Sequence, residues 1–141
     1  MSLDDPNKKM SKSIPGGCLY LSDKPEVIKE KVKRAVTDSM STIDYDPDKR
    51  PAVSNLVLVY SEISGLTTTE VVKKFEGVGY AKFKEDLAEV IISKLKPFQE
   101  RRNKLLKNKK LVMKILSDGA KKAQVIARKT MTEVNKKAGL I

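Results

Sequence analysis

The sequence predicts an all-α fold: a helical bundle of about five to six helices preceded by a flexible, basic amino-terminal loop. Three observations carry that prediction. Apolar residues recur at three- and four-residue intervals along most of the 141-residue chain, the signature of a one-sided helix. Gly and Pro cluster at the ends of these periodic stretches and punctuate them. Trp is absent and aromatic residues are few, so packing of aliphatic helices is favoured over a β-sandwich. At this length one core is the default, and the division expected is a leading segment, residues 1–21, followed by a helical domain, residues 22–141.

Residues 1–21 hold Pro6, Pro15, Gly16 and Gly17 among lysines and serines and read as a loop. Asp23-Lys24-Pro25-Glu26 reads as a helix start, with Asp23 as cap, Glu26 answering three residues later and Pro25 tolerated in the first turn. Val27, Ile28, Val32, Ala35 and Val36 carry that helix to about residue 36. A connector rich in Asp, Ser and Pro spans 38–51. From Pro51, the positions Val53, Leu56, Val57, Tyr60 and Ile63 fit a second helix ended by Gly65, although Leu56–Tyr60 alone would also suit a buried strand. Thr67 and Glu70 have capping-box spacing for a short helix through Phe75. Tyr80, Phe83, Leu87, Val90, Ile91, Leu95 and Phe98 form the longest periodic stretch, continuing to Leu105 and Leu106. Pro97 inside it predicts a kink or break near Lys96. Leu111–Leu116 predicts a short helix, and Asp118 is placed to cap a final one whose stripe runs from Ala120 to Ala138 before Gly139.

Charge is unevenly distributed. Residues 1–93 carry 14 Lys/Arg against 15 Asp/Glu, whereas residues 94–141 carry 15 against 3. A local excess of that size attracts polyanions over roughly 10 Å at moderate salt and favours nucleic-acid contact. The single Cys18 permits no internal disulfide and fits a reducing cytoplasmic setting. The absence of His excludes imidazole general bases, Ser-His-Asp and Cys-His nucleophile systems and most zinc chemistry. No apolar run approaches the roughly 18 residues needed to span a bilayer, so no membrane role is expected. Adjacent acids such as Asp4/Asp5 and Glu85/Asp86 read as solvated surface, and no metal site is expected. Gly16-Gly17 lacks the Lys-Ser/Thr that would follow in a P-loop.

Two lysines three apart, in Lys9-Met10-Ser11-Lys12-Ser13, form a loop whose ammonium groups can converge on a polyphosphate. Downstream stand Arg34-Ala35-Val36-Thr37-Asp38-Ser39, then Val53-Ser54-Asn55-Leu56, Phe75-Glu76-Gly77 and Asp118-Gly119-Ala120. In that order and spacing these words resemble the carboxyl-terminal portion of a bacterial-type tryptophanyl-tRNA synthetase, a class I enzyme, from about Ser2 to Ile141. Tyrosyl-tRNA synthetases share the lysine loop, but the second and third words favour the tryptophanyl member.

The resemblance implies an ATP-binding role for Lys9, Met10, Ser11, Lys12 and Ser13. Lys9 and Lys12 would be catalytic, meeting negative charge that develops on departing pyrophosphate. ATP with Mg2+ would be a substrate of the parent ligase, and no tightly bound cofactor is implied. The tRNA(Trp) anticodon region would be the partner of the helical domain, with Lys94, Arg101, Arg102 and Lys104 as candidate contacts because Arg both pairs with phosphate and stacks on bases. By the same resemblance the Rossmann half with its His-Ile-Gly-His motif, the tryptophan pocket and the dimer surface lie upstream of residue 1. This chain alone is then expected to be catalytically incomplete and to need that half as a partner. The alternative reading is a stand-alone helical RNA-binding module without enzymatic role. Two positions depart from the family: Ile14 stands where Asp usually follows the loop, and Ala52 where Gly usually precedes Val-Ser-Asn-Leu. Loss of the carboxylate at 14 is expected to alter loop closure.

Overall fold

The computed structural model describes residues 1–140. A short 3-10 turn, Pro15–Gly17, precedes five α-helices: α1 Pro25–Arg34, α2 Pro51–Ser64, α3 Thr68–Lys74, α4 Tyr80–Lys107 and α5 Lys109–Lys137. The all-helical expectation holds, and among the described residues the only β pairing is an isolated bridge between Ser11 and Ile14. The chain forms two compact units, Met1–Gln99 and a second beginning at Glu100.

The first unit is organised around α2, which is apolar over most of its circumference. Val53, Leu56, Val57 and Tyr60 are fully buried, as expected of a helix surrounded by protein. Its buried polar groups all find partners: the Ser61 hydroxyl donates to the Leu66 carbonyl at 2.6 Å, and the Ser54 hydroxyl accepts from the Asp46 amide at 2.9 Å. Ile28 and Val32 from α1, Val71 from α3, and Phe83, Leu87 and Ile91 from α4 complete the core. Tyr60, Phe75 and Phe83 form an aromatic trio, with Phe75 edge-on to Tyr60 at 5.2 Å and to Phe83 at 4.9 Å, a preferred geometry for ring quadrupoles.

Several ends follow their local chemistry. Gly65 terminates α2 with φ of +81° and its N–H on the Ser61 carbonyl at 2.8 Å. Thr67 and Glu70 form the reciprocal capping box of α3. Other ends do not follow the sequence expectation. Asp23 does not cap α1. Pro25 begins that helix and holds Lys24 extended at the cap position, as a residue before proline prefers, leaving Asp23 one residue outside. Its carboxylate instead accepts from the Tyr20 amide at 3.0 Å and from Lys31 at 2.7 Å. The helix stops at Arg34 rather than Val36, because the Val36 amide is taken by the Leu3 carbonyl at 2.8 Å. Lys84 then donates to the Ala35 carbonyl at 2.7 Å, a cation where the helix dipole is negative.

The helix is not broken at Pro97, since α4 is helical from Tyr80 to Lys107. Proline removes a single backbone donor, and the helix continues through it. The interruption comes instead at Asn108, whose side chain caps α5 by accepting from the Leu111 amide at 3.1 Å. Nor does Asp118 start a new helix. Val112, Leu116, Ala120, Ala123, Ala127, Met131 and Val134 keep one three/four spacing straight through Asp118-Gly119. An interior Asp and Gly weaken a helix by up to about 1 kcal/mol each without forbidding it. No helix is long and apolar enough to cross a membrane.

Candidate functional site

The lysine loop rises from a clasp made by the start of the chain. Ser2 donates its amide to the Lys8 carbonyl at 2.7 Å, and Leu3 donates to the Gly17 carbonyl at 2.9 Å. The residues between Lys8 and Gly17 are therefore closed at their base into a loop. Leu3, 2 % exposed, plugs the core, and its carbonyl is held by Val36. Asn55 on α2 grips the same strand of chain from below. Its Nδ2 donates to the Ser2 carbonyl at 3.1 Å and the Met1 carbonyl at 3.4 Å, and its Oδ1 accepts from the Met1 nitrogen at 2.9 Å.

Gly17 is required by proximity: a Cβ there would lie 1.9 Å from the Ser2 hydroxyl and 3.0 Å from the Asp4 amide nitrogen. Gly16-Gly17 thus serves close packing of the clasp. Nearby, Asp5 accepts from the Asn7 amide at 3.1 Å and pairs with Lys8 at 2.9 Å, bonds that hold its carboxyl below the ordinary aspartate range, with Lys8 the larger cause.

Within the loop, Ser11 to Ile14 form a tight turn. The Ile14 amide donates to the Ser11 carbonyl at 3.1 Å and the Ser13 amide to the Ser11 hydroxyl at 3.3 Å. Met10 packs against the core, whereas Lys9, Lys12, Ser13 and Ile14 are exposed. Among the described residues, neither Lys9 nor Lys12 belongs to an ion pair. The result is a turn with a fixed base and two ammonium groups facing solvent, able to meet an anion without first surrendering an internal partner.

The other sequence words have internal duties. Asp38 accepts from Arg50 Nε at 2.8 Å and Nη2 at 3.1 Å and from the Tyr80 hydroxyl. The Arg50 guanidinium also reaches the Thr42 carbonyl at 2.7 Å and Tyr80 at 2.8 Å. Arg50 thereby ties the 38–50 connector to the first turn of α4. Its hydrogen bonds hold the Asp38 carboxyl well below the usual range. Burial, reinforced by the Asp38 carboxylate, pushes the Tyr80 phenol up to about 12. A carboxylate so fully engaged is structural rather than reactive. Val53 and Leu56 are core, and Asn55 between them is the anchor of the clasp. Sequence reasoning missed that role, though a polar Ser54-Asn55 pair inside an apolar run was the available signal.

A surface groove of about 780 Å3 runs between α1 and α4 and includes Lys29, Lys33, Lys82, Lys84 and Tyr80, none of them from the loop. Lys82 is paired with Glu85 and Asp86, which raises its pKa. Burial of Lys84 lowers its own, as expected for an ammonium leaving water. The groove brings together no nucleophile and base. Lys94 lies in the first unit and Arg101, Arg102 and Lys104 in the second; all four sit on α4 and all are exposed.

A family model described as tRNA synthetases class I (W and Y) matches residues 1–96. A tryptophan–tRNA ligase of Clostridium perfringens is 47 % identical over all of this chain, which spans 43 % of that relative. The corresponding ligase of Clostridium acetobutylicum is 44 % identical, again over the whole chain and 42 % of its own length. The crystal structure of tryptophanyl-tRNA synthetase from Mycoplasma pneumoniae superposes with a TM-score of 0.67 at 29 % identity, covering 74 % of this chain and 33 % of that one. The chain therefore spans less than half the length of the relatives it matches.

Proposed function

This chain belongs to the class I tRNA synthetases of the tryptophan and tyrosine type, and from that premise we propose that it contributes two parts of a tryptophan–tRNA ligase. One is the loop that meets ATP phosphates during amino-acid activation. The other is a basic helical region that contacts tRNA(Trp). Activation joins the tryptophan carboxylate to the α-phosphorus of ATP and breaks its bond to pyrophosphate, so negative charge moves onto the departing oxygens. Lys9 and Lys12 supply positive charge where that charge appears and lower the barrier electrostatically, with no proton transfer required. The Ser11 and Ser13 hydroxyls assist as hydrogen-bond donors, and Met10 seats the turn. Mg2+ accompanies ATP as part of the substrate.

The observation that carries the reading is the pair of solvent-facing, unpaired ammonium groups of Lys9 and Lys12 on a turn whose base is fixed to the core. Loop closure then displaces water rather than breaking ion pairs. The amino-acid pocket and the rest of the nucleotide site fall to the portion of the relatives that this chain does not span. Lys94, Arg101, Arg102 and Lys104 are the candidate tRNA contacts.

The test joins residues 1–141 in frame to the remaining portion of the Clostridium perfringens ligase and measures tryptophan-dependent exchange of pyrophosphate into ATP. Lys12→Ala and Lys9→Ala are each expected to lower the exchange rate by at least about 100-fold with tryptophan affinity changed less than about threefold, the pattern of a contact made in the transition state. An unchanged rate in both variants would remove the loop from the chemistry. Ile14→Asp, which restores the family's carboxylate, is expected to raise the rate of the joined enzyme.

A further inference from the structure

The second unit separates its chemistry onto two sides of one helix. Advancing 100° per residue, Lys110, Lys114, Lys121, Arg128, Lys129 and Lys136 of α5 fall within a sector about 100° wide. Val112, Leu116, Ala120, Ala123, Ala127 and Val134 fall on the opposite side, as does Lys109, while the exposed Val125 lies within the basic sector. All six cations are exposed. They climb the helix for about 40 Å, and from Lys114 onward a rung recurs about every seven residues, or roughly every 11 Å. Asp118 is the one carboxylate in that sector.

These charges are uncompensated. Every ion pair among the described residues lies between Asp5 and Glu89, and α5 itself contains two acids, Asp118 and Glu133, against nine Lys/Arg. Repeated like charges on one helix face repel, so a polyanion lying along the face relieves a cost already present.

We infer that the basic face of α5 is a phosphate-backbone rail: it binds RNA along its length through charge alone, independently of sequence. This rests on the RNA-binding part of the function proposed above and assigns it a division of labour. No aromatic residue follows Phe98, so Arg128 is the one side chain of the basic face on which a base can stack, and the face acts chiefly on the phosphate backbone. An RNA backbone fits better than an anionic membrane. A helix lying in a bilayer surface is anchored by aromatic residues such as Trp and Phe beside Leu, whereas the side opposite the lysines mixes Ala120, Ala123 and Ala127 with Val112, Leu116 and Val134 and carries no aromatic residue.

The full 141-residue chain is titrated with fluorescent tRNA(Trp) and with a non-cognate tRNA of equal length, from 0.05 to 0.5 M salt. The fourfold variant Lys114→Gln, Lys121→Gln, Arg128→Gln, Lys129→Gln is compared with the unaltered chain, with helicity checked by circular dichroism. Loss of four phosphate contacts is expected to flatten the slope of log K against log salt by about 3. Affinity at 0.1 M then falls about a thousandfold, for lines that meet near 1 M, and falls equally for both RNAs. The double variant Lys121→Gln, Arg128→Gln should flatten the slope by about 1.5, a check that does not depend on the fourfold variant folding. An unchanged slope overturns the rail. So does retained RNA binding with lost binding to phosphatidylserine vesicles. Equal binding of both tRNAs by the unaltered chain would overturn the tRNA(Trp) reading, while the slope would still judge the rail separately.

Discussion

Replacing Asn55 by Ala should release the lysine loop without unfolding the protein beneath it. The Asn55 side chain is the polar link between α2 and the clasp, making bonds of 2.9, 3.1 and 3.4 Å to Met1 and Ser2. A typical hydrogen bond contributes about 1 kcal/mol net. The 3.4 Å bond is weak, and water reaches Ser2 once the link is gone, so the three together contribute about 2 kcal/mol. That corresponds to roughly a 30-fold change in the equilibrium between clasped and open forms. Burial of Leu3 remains and keeps the clasp mostly closed, being worth about 1.5–3 kcal/mol. Hydrogen exchange read residue by residue is the assay. The Leu3 and Val36 amides, bonded to the Gly17 and Leu3 carbonyls, should lose protection by about 30-fold. Amides in α2 and α4 that open only with the whole unit should change far less, since Ala is a better helix former than Asn. Unaltered protection at Leu3 and Val36, or an equal loss throughout the unit, would refute the idea that Asn55 acts on the clasp.

Other outcomes follow from the same geometry. The Asp38 carboxyl has a lower pKa folded than unfolded, so the stability it lends is complete above about pH 4, the unfolded value. That contribution is lost progressively as pH falls below it. Urea denaturation should show a loss on the order of 2 kcal/mol in acid, and Asp38→Asn should make that acid dependence shallower. Tyr80 works in the opposite sense: its raised pKa lends stability that is complete below about pH 10 and fades as pH rises towards about 12. Gly119→Ala meets no atom within 4 Å and sits inside α5, so it should strengthen that helix by about 1 kcal/mol, seen as higher residual helicity on heating.

The parts of this fold that were legible in the sequence are those where neighbours in the chain decide the matter. Gly65 ends α2 because only a positive φ satisfies that turn, and Thr67 with Glu70 makes a reciprocal cap needing nothing from elsewhere. Two misreadings involve a residue with a local use that a longer-range partner outbid. Asp23 was free to cap α1, but Lys31 lies two turns along the helix and claims its carboxylate. Val36 had the apolar character to extend α1, but Leu3, far back in sequence, takes its amide. Asp118 shows the reverse error, a local breaker overruled by a helix long enough to absorb one weak position, and at Pro97, where a kink or break was expected, the helix runs on without a break. At the site, the lysines were visible as a motif. Their exposure was not, because it depends on Leu3, Gly17 and Asn55 closing the loop at its base, and no spacing rule connects those three.

Every fully buried side chain among the described residues lies between Leu3 and Ile91, while the great excess of positive charge lies after Ser93. Core packing and surplus positive charge are thus written in different stretches of the gene. A mutation in the last third retunes that charge with little thermodynamic penalty to the first unit. One among the buried residues between Leu3 and Ile91 risks the architecture and leaves that charge untouched, so selection can adjust either property separately.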